Sequence, residues 1–126
     1  MRLRAGRRYL KDENGTGAAE FALVVIPFMA LVMGIIGVST MMYANHTLQY
    51  AVEAAARCFS VNAASCSTTT AAQTFATNRY SGPNIAPVFV ANTSGCGHTV
   101  TGTANFTLDA IVVDITVPLS ATACFP

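Results

Sequence analysis

Between Phe21 and Val52 the chain has no Asp, Glu, Lys or Arg, and the 23 residues from Phe21 to Tyr43 hold hardly a polar side chain. No other feature of the 126 residues constrains the fold so strongly. A helix of that length rises about 34 Å at 1.5 Å per residue, enough to cross a hydrocarbon core of roughly 30 Å with some tilt. Burying the same run in a globular core would require cover on every side, and a chain this short has little left to supply it. The segment reads as one membrane span, over residues 16–43 once its entrance is included, and no other stretch qualifies.

Charge predicts the orientation. The leader, residues 1–15, carries Arg2, Arg4, Arg7, Arg8 and Lys11 against Asp12 and Glu13; beyond it stand only Arg57 and Arg79 against Glu20, Glu53, Asp109 and Asp114. Basic residues collect on the cytoplasmic side of a span, so the N-terminus is expected in the cytoplasm and residues 44–126 outside it, which in a bacterium is the periplasm. Four cysteines, Cys58, Cys66, Cys96 and Cys124, all fall on that oxidising side. A net charge of +1 with no basic face beyond the leader excludes nucleic acid as an expected partner. The apolar run exceeds the roughly 7–15 residues of a secretory signal core, and neither an A-x-A site nor a Leu-x-x-Cys lipobox follows it. The span is expected to stay in the mature protein.

The segment Asn14-Gly15-Thr16-Gly17-Ala18-Ala19-Glu20-Phe21-Ala22-Leu23-Val24 joins leader to span. An ionisable group at a membrane segment points to function, since it costs free energy there unless it meets an interface or a cation. Small residues before it keep the backbone open to a protease. Cleavage after Gly15 would make Thr16 the first residue and Glu20 the fifth; cleavage after Gly17 would leave Glu20 only third. A basic leader, Gly15, Glu20 at that spacing and an apolar helix together resemble the processing site of the type IV pilin superfamily. The string Gly-x-x-Ala-x-Glu-Phe-Ala-Leu-Val, with Pro27 and a second helical stretch ending in Glu53-Ala54-Ala55-Ala56-Arg57, is similar in particular to the TadE-like pseudopilins of the tight-adherence (Tad/Flp) pilus system. Phe21 after the glutamate and the large C-terminal region favour this over a major pilin.

The resemblance implies cleavage after Gly15 by a membrane-embedded prepilin peptidase, with other pilin and pseudopilin subunits, the Tad assembly machinery and the membrane as partners. It implies a role in building an adhesive pilus from the bacterial inner membrane, with no cofactor and no small-molecule substrate. Glu20 would then pair with the α-ammonium of a neighbour's Thr16, where either charge alone is costly in apolar packing. The contrasting reading is an uncleaved, single-pass anchored adaptor or binding module in which Glu20 is an interfacial residue favourable to the helix dipole.

Pro27 removes the donor that would reach the Leu23 carbonyl and is expected to kink or loosen that turn. Ala30 and Gly34, four apart, offer one small-residue face. Beyond the span, Leu48, Val52, Ala55 and Phe59 form an apolar stripe and Asn45, Gln49, Glu53 and Arg57 a wet one, predicting a single helix from about Ala18 to about Val61. Ala71, Ala72, Phe75, Ala76 and Tyr80 mark a short amphipathic helix, stopped by Ser81-Gly82-Pro83-Asn84. Val88-Phe89-Val90 suits a short strand. Val100, Gly102, Ala104, Phe106 and Leu108 alternate with polar residues, as do Val113, Ile115, Val117 and Leu119, predicting two antiparallel neighbours joined across residues 109–112, with Pro118 at a sheet edge. The fold class is α+β: a long N-terminal transmembrane helix continuing into a small extracytoplasmic domain with an antiparallel sheet.

So thin an outer core calls for staples. Of the three possible pairings the local one joins Cys58 with Cys66 and Cys96 with Cys124. Cys96-Gly97-His98 hints at zinc, but no C-x-x-C pair supports a metal site. Neither His46 nor His98 accompanies a nucleophile motif, no phosphate-cradling loop is present, and Asp109 and Asp114 read as solvated strand residues. No enzymatic activity is expected.

Overall fold

The computed structural model describes residues 14–62, 64–109 and 113–126. The basic leader through residue 13 and residues 110–112 of the expected hairpin connection lie outside the described residues. Helix α1 runs Asn14–Val61 and α2 Thr69–Arg79; strands β1 (Val88–Ser94), β2 (Gly97–Asp109) and β3 (Asp114–Phe125) complete the order ααβββ. The chain divides into two units, Met1–Ile36 and Gly37–Pro126.

Helix α1 is already formed at Asn14, four residues before the expected Ala18. Gly15 and Gly17 have poor intrinsic propensity, yet adding residues to an existing helix is far cheaper than nucleating one. The helix passes through Pro27, whose nitrogen has no hydrogen to donate to Leu23. After Val61 the chain turns on Asn62, whose Oδ1 accepts from the backbone N–H of Ala64 and of Ser65, both at 3.2 Å. Thr68 caps α2, its Oγ1 accepting from Ala71 N–H at 3.1 Å. Tyr80 closes that helix and donates its hydroxyl to the Pro83 carbonyl at 2.8 Å. Partial burial of the ring raises the Tyr80 pKa above its ordinary value, with Thr47 opposing and Tyr43 adding to the shift.

The sheet is antiparallel in the order β1-β2-β3. Gly95 and Cys96 make a two-residue hairpin turn between Ser94 and Gly97, which pair with each other. Gly97, at φ 120°, packs against Phe125 and Pro126 and has no room for a side chain. β3 is an edge strand, and Pro118, opposite Asn105, sits there as expected because a missing donor does no harm on the solvent side. The outward face is rich in threonine; Thr101 and Thr122 face each other with hydroxyls 3.2 Å apart.

The core of the second unit is one cluster. Ala44, Leu48, Ala51, Val52, Ala55 and Ala56 of α1 and Ala72 and Ala76 of α2 meet Phe89, Ala91, Val100, Phe106, Leu119 and Ala121 of the sheet. The period-two pattern of β2 holds, with Val100, Gly102, Ala104 and Phe106 buried and Leu108 half-buried. In β3 the inward alternation is displaced along the strand. Leu119 and Ala121 are buried, whereas Val113 and Ile115, expected inside, are 58% and 51% exposed. Leu108 and Val117 are the last residues packed on the cluster at that end of the ladder, so the rungs beyond them have no core to enter. β1 and β3 are longer than expected, since pairing to the 13-residue β2 recruits residues with weak patterns of their own, such as Asn92–Ser94 and Ala121–Ala123.

Candidate functional site

Gly15, Thr16 and Gly17 occupy the opening turn of α1, and Glu20 and Phe21 follow one turn later. Thr16 and Glu20, four apart, stand on the same helix face about 6 Å apart along the axis. Glu20 is exposed. It is the sole Asp, Glu, Lys or Arg between Asn14 and Val52. Gly17 has no neighbour within 4 Å of where a Cβ would lie. The Gly15–Thr16 peptide is flanked by residues with low helix propensity, roughly 1 kcal/mol below Ala for each glycine, so unwinding the turn to present it costs little.

From Phe21 onward the first unit exposes large apolar side chains all round: Phe21 is 71%, Leu23 73% and Ile26 70% exposed, and Met33, Ile35 and Ile36 continue the pattern. A helix apolar on every side requires an apolar surrounding. Mean hydropathy reaches 2.7 over its most apolar window, and it is the one helix among the described residues long and apolar enough to cross a membrane, as a single-pass anchor does.

Both local disulfides are present, Cys58–Cys66 and Cys96–Cys124. Cys66 is fully buried. Cys96 therefore offers no thiolate to a metal beside His98. The His98 ring lies 4.2 Å from the Phe59 ring, with Nδ1 buried and unpaired, so this histidine serves packing.

Sequence reasoning missed a groove in the second unit between α1 and α2. Tyr50, Glu53 and Arg57 line one side, Phe75 and Arg79 the other, and Phe125 of β3 adds a third aromatic ring. The Arg79 guanidinium lies over Phe75, 5.2 Å from the ring centre. One signal was available: Arg57 and Arg79 are the only Lys or Arg residues beyond the leader.

No curated protein and no solved structure matches the chain. The family of TadE-like proteins matches residues 15–57, which hold Gly15, Thr16, Glu20, the apolar run and the helix through Arg57. Over that stretch, from the opening turn of α1 almost to its end, the chain is similar to the TadE-like proteins.

Proposed function

We propose that this chain is a pseudopilin of a Tad-type pilus, cleaved after Gly15 by a prepilin peptidase and acting in filament assembly at the inner membrane. The observation that supports this most directly is a single exposed carboxylate, Glu20, five residues past Gly15 at the head of a helix apolar on all sides. Cleavage replaces the Gly15–Thr16 amide with an α-ammonium on Thr16. When apolar helices of several subunits bundle, water leaves the Thr16–Glu20 level. Opposite charges 4 Å apart attract by about 1 kcal/mol in water and about 4 kcal/mol at an effective dielectric of 20. The neighbour that places its Thr16 against Glu20 gains this attraction, and one shifted along the axis leaves two unpaired charges in apolar packing. The pair thus selects register.

Mass spectrometry of the protein from peptidase-containing cells tests the reading. The mature chain begins at Thr16, and either deletion of the peptidase or Gly15→Leu leaves Met1 in place. Glu20→Ala is still processed but no longer supports pilus formation. A chain that keeps its leader beside an active peptidase is a tethered adaptor instead, and the proposal fails.

A further inference from the structure

We propose that Cys96–Cys124 is a thiol–disulfide exchange site, opened in the folded protein by a thiolate that attacks Cys96 and releases Cys124, while Cys58–Cys66 stays closed. The two disulfides stand in different surroundings. Cys66 is fully buried, and apolar burial disfavours a thiolate. Cys96 is exposed in the β1–β2 turn, and Cys124 is half-buried near the end of β3. Phe59, whose ring lies against His98 in the same part of the sheet, stands about 24 Å beyond Tyr43 along α1 at 1.5 Å per residue. The bond is therefore well clear of the span and open to a reagent in solution.

Hydroxyl groups give the bond a direction. Thr99 and Cys124 are partners in the β2–β3 ladder, and the Thr99 hydroxyl donates to Cys124 Sγ at 3.3 Å. Ser94 Oγ lies 2.6 Å from Thr99 Oγ1, and Cys96 Sγ lies 3.2 Å from Ser94 Oγ and 3.4 Å from Thr99 Oγ1. A disulfide sulfur has no hydrogen and can only accept. With the Thr99 hydrogen committed to Cys124, Ser94 is the donor to Thr99, and a donor that itself accepts is strengthened. The polarised hydrogen bond thus falls on Cys124, the less exposed sulfur, and the approach of a reagent falls on Cys96. An incoming thiolate bonds to Cys96 Sγ as the Cys96–Cys124 bond breaks; Cys124 leaves as a thiolate held by Thr99 and then takes a proton from water. A second thiolate attacks the incoming sulfur and releases Cys96, so the two cysteines gain two electrons and the two attacking thiols lose them as a new disulfide. A better stabilised leaving sulfur departs faster. Only residues 94–124 take part, so the site's behaviour is independent of cleavage after Gly15.

The test incubates the full-length protein in detergent with reduced glutathione in one arm and reduced thioredoxin, a dithiol protein, in the other. Free thiols are alkylated at intervals and mapped by mass spectrometry. Cys96 and Cys124 are expected to label together, about tenfold or more ahead of Cys58 and Cys66. Thr99→Val, which keeps the shape and loses the hydroxyl, slows that labelling about tenfold, and Thr99→Ser restores it. A folding defect would speed labelling instead, so the sign separates leaving-group stabilisation from loss of structure. Faster opening by thioredoxin at equal thiol concentration assigns the site to dithiol proteins; opening by glutathione at the same rate or faster assigns it to small thiols. Opening of Cys58–Cys66 first, of both bonds together or of neither overturns the proposal. So does a Thr99→Val protein that opens as fast as the parent or faster, or a Thr99→Ser protein as slow as the valine variant.

Discussion

Gly102 shows how far a single position can be tuned. A Cβ added there would meet Val52 Cγ2 at 2.8 Å, Phe89 Cε1 at 2.9 Å and Leu48 Cδ1 at 3.1 Å. Val52 and Leu48 are fully buried, and a β-branched valine has no spare rotamer with which to retreat. Gly102→Ala therefore overpacks the core and is expected to lower stability by about 1–3 kcal/mol, outweighing the gain of about 0.4–1 kcal/mol from a stiffer unfolded chain. Gly34→Ala, in a helix with nothing within 4 Å of the new methyl, is not destabilising. Denaturant unfolding in detergent checks both; a Gly102→Ala protein as stable as the parent would mean that the helix face yields. Alternation alone placed Gly102 on the inner face of its strand. That it seats Leu48 and Val52 depends on a contact between residues about 50 apart, which no local pattern contains. The role proposed for Glu20 rests, by contrast, on its spacing from Gly15 within one short segment.

Among the elements, the disulfides close loops of different length, and this orders their effects. Cys58–Cys66 spans 8 residues and ties the end of α1 to the turn that follows it; Cys96–Cys124 spans 28 and ties the β1–β2 turn to the end of β3. Loop-closure entropy assigns about 2.5 kcal/mol to the first and about 3.5 kcal/mol to the second. Replacing Cys96 and Cys124 by Ala should therefore destabilise more than replacing Cys58 and Cys66, measured as a lower denaturant midpoint. The reverse order would show that packing around the buried Cys66, and not chain entropy, governs the stapling. Sequence proximity was enough to favour this one pairing among the three possible. The ladder itself was legible where apolar and polar side chains alternate, over Val100–Leu108. It was not legible in Asn92–Ser94 or Ala121–Ala123, where the pairing partner and not the residue makes the strand.

For the whole molecule, charge, span and oxidation state make one linked prediction. The five basic leader residues Arg2, Arg4, Arg7, Arg8 and Lys11 precede an apolar helix, and every cysteine follows it. If the basic leader holds the N-terminus in the cytoplasm, residues 44–126 enter the oxidising compartment and both disulfides form; if the chain inserts the other way, all four thiols remain where reductants keep them open. Replacing those five residues by Gln or Ser, together with Val38→Lys and Tyr43→Arg at the far end of the span, should invert a measurable fraction of molecules. Maleimide modification before and after reduction reads that fraction directly, because inverted molecules label without reduction and correctly inserted ones do not. The same fraction should lose protease accessibility of residues 44–126 from the periplasmic side. Labelling that rises without a matching loss of accessibility would mean that the disulfides fail for a local reason, and that the leader does not set the orientation on which they depend.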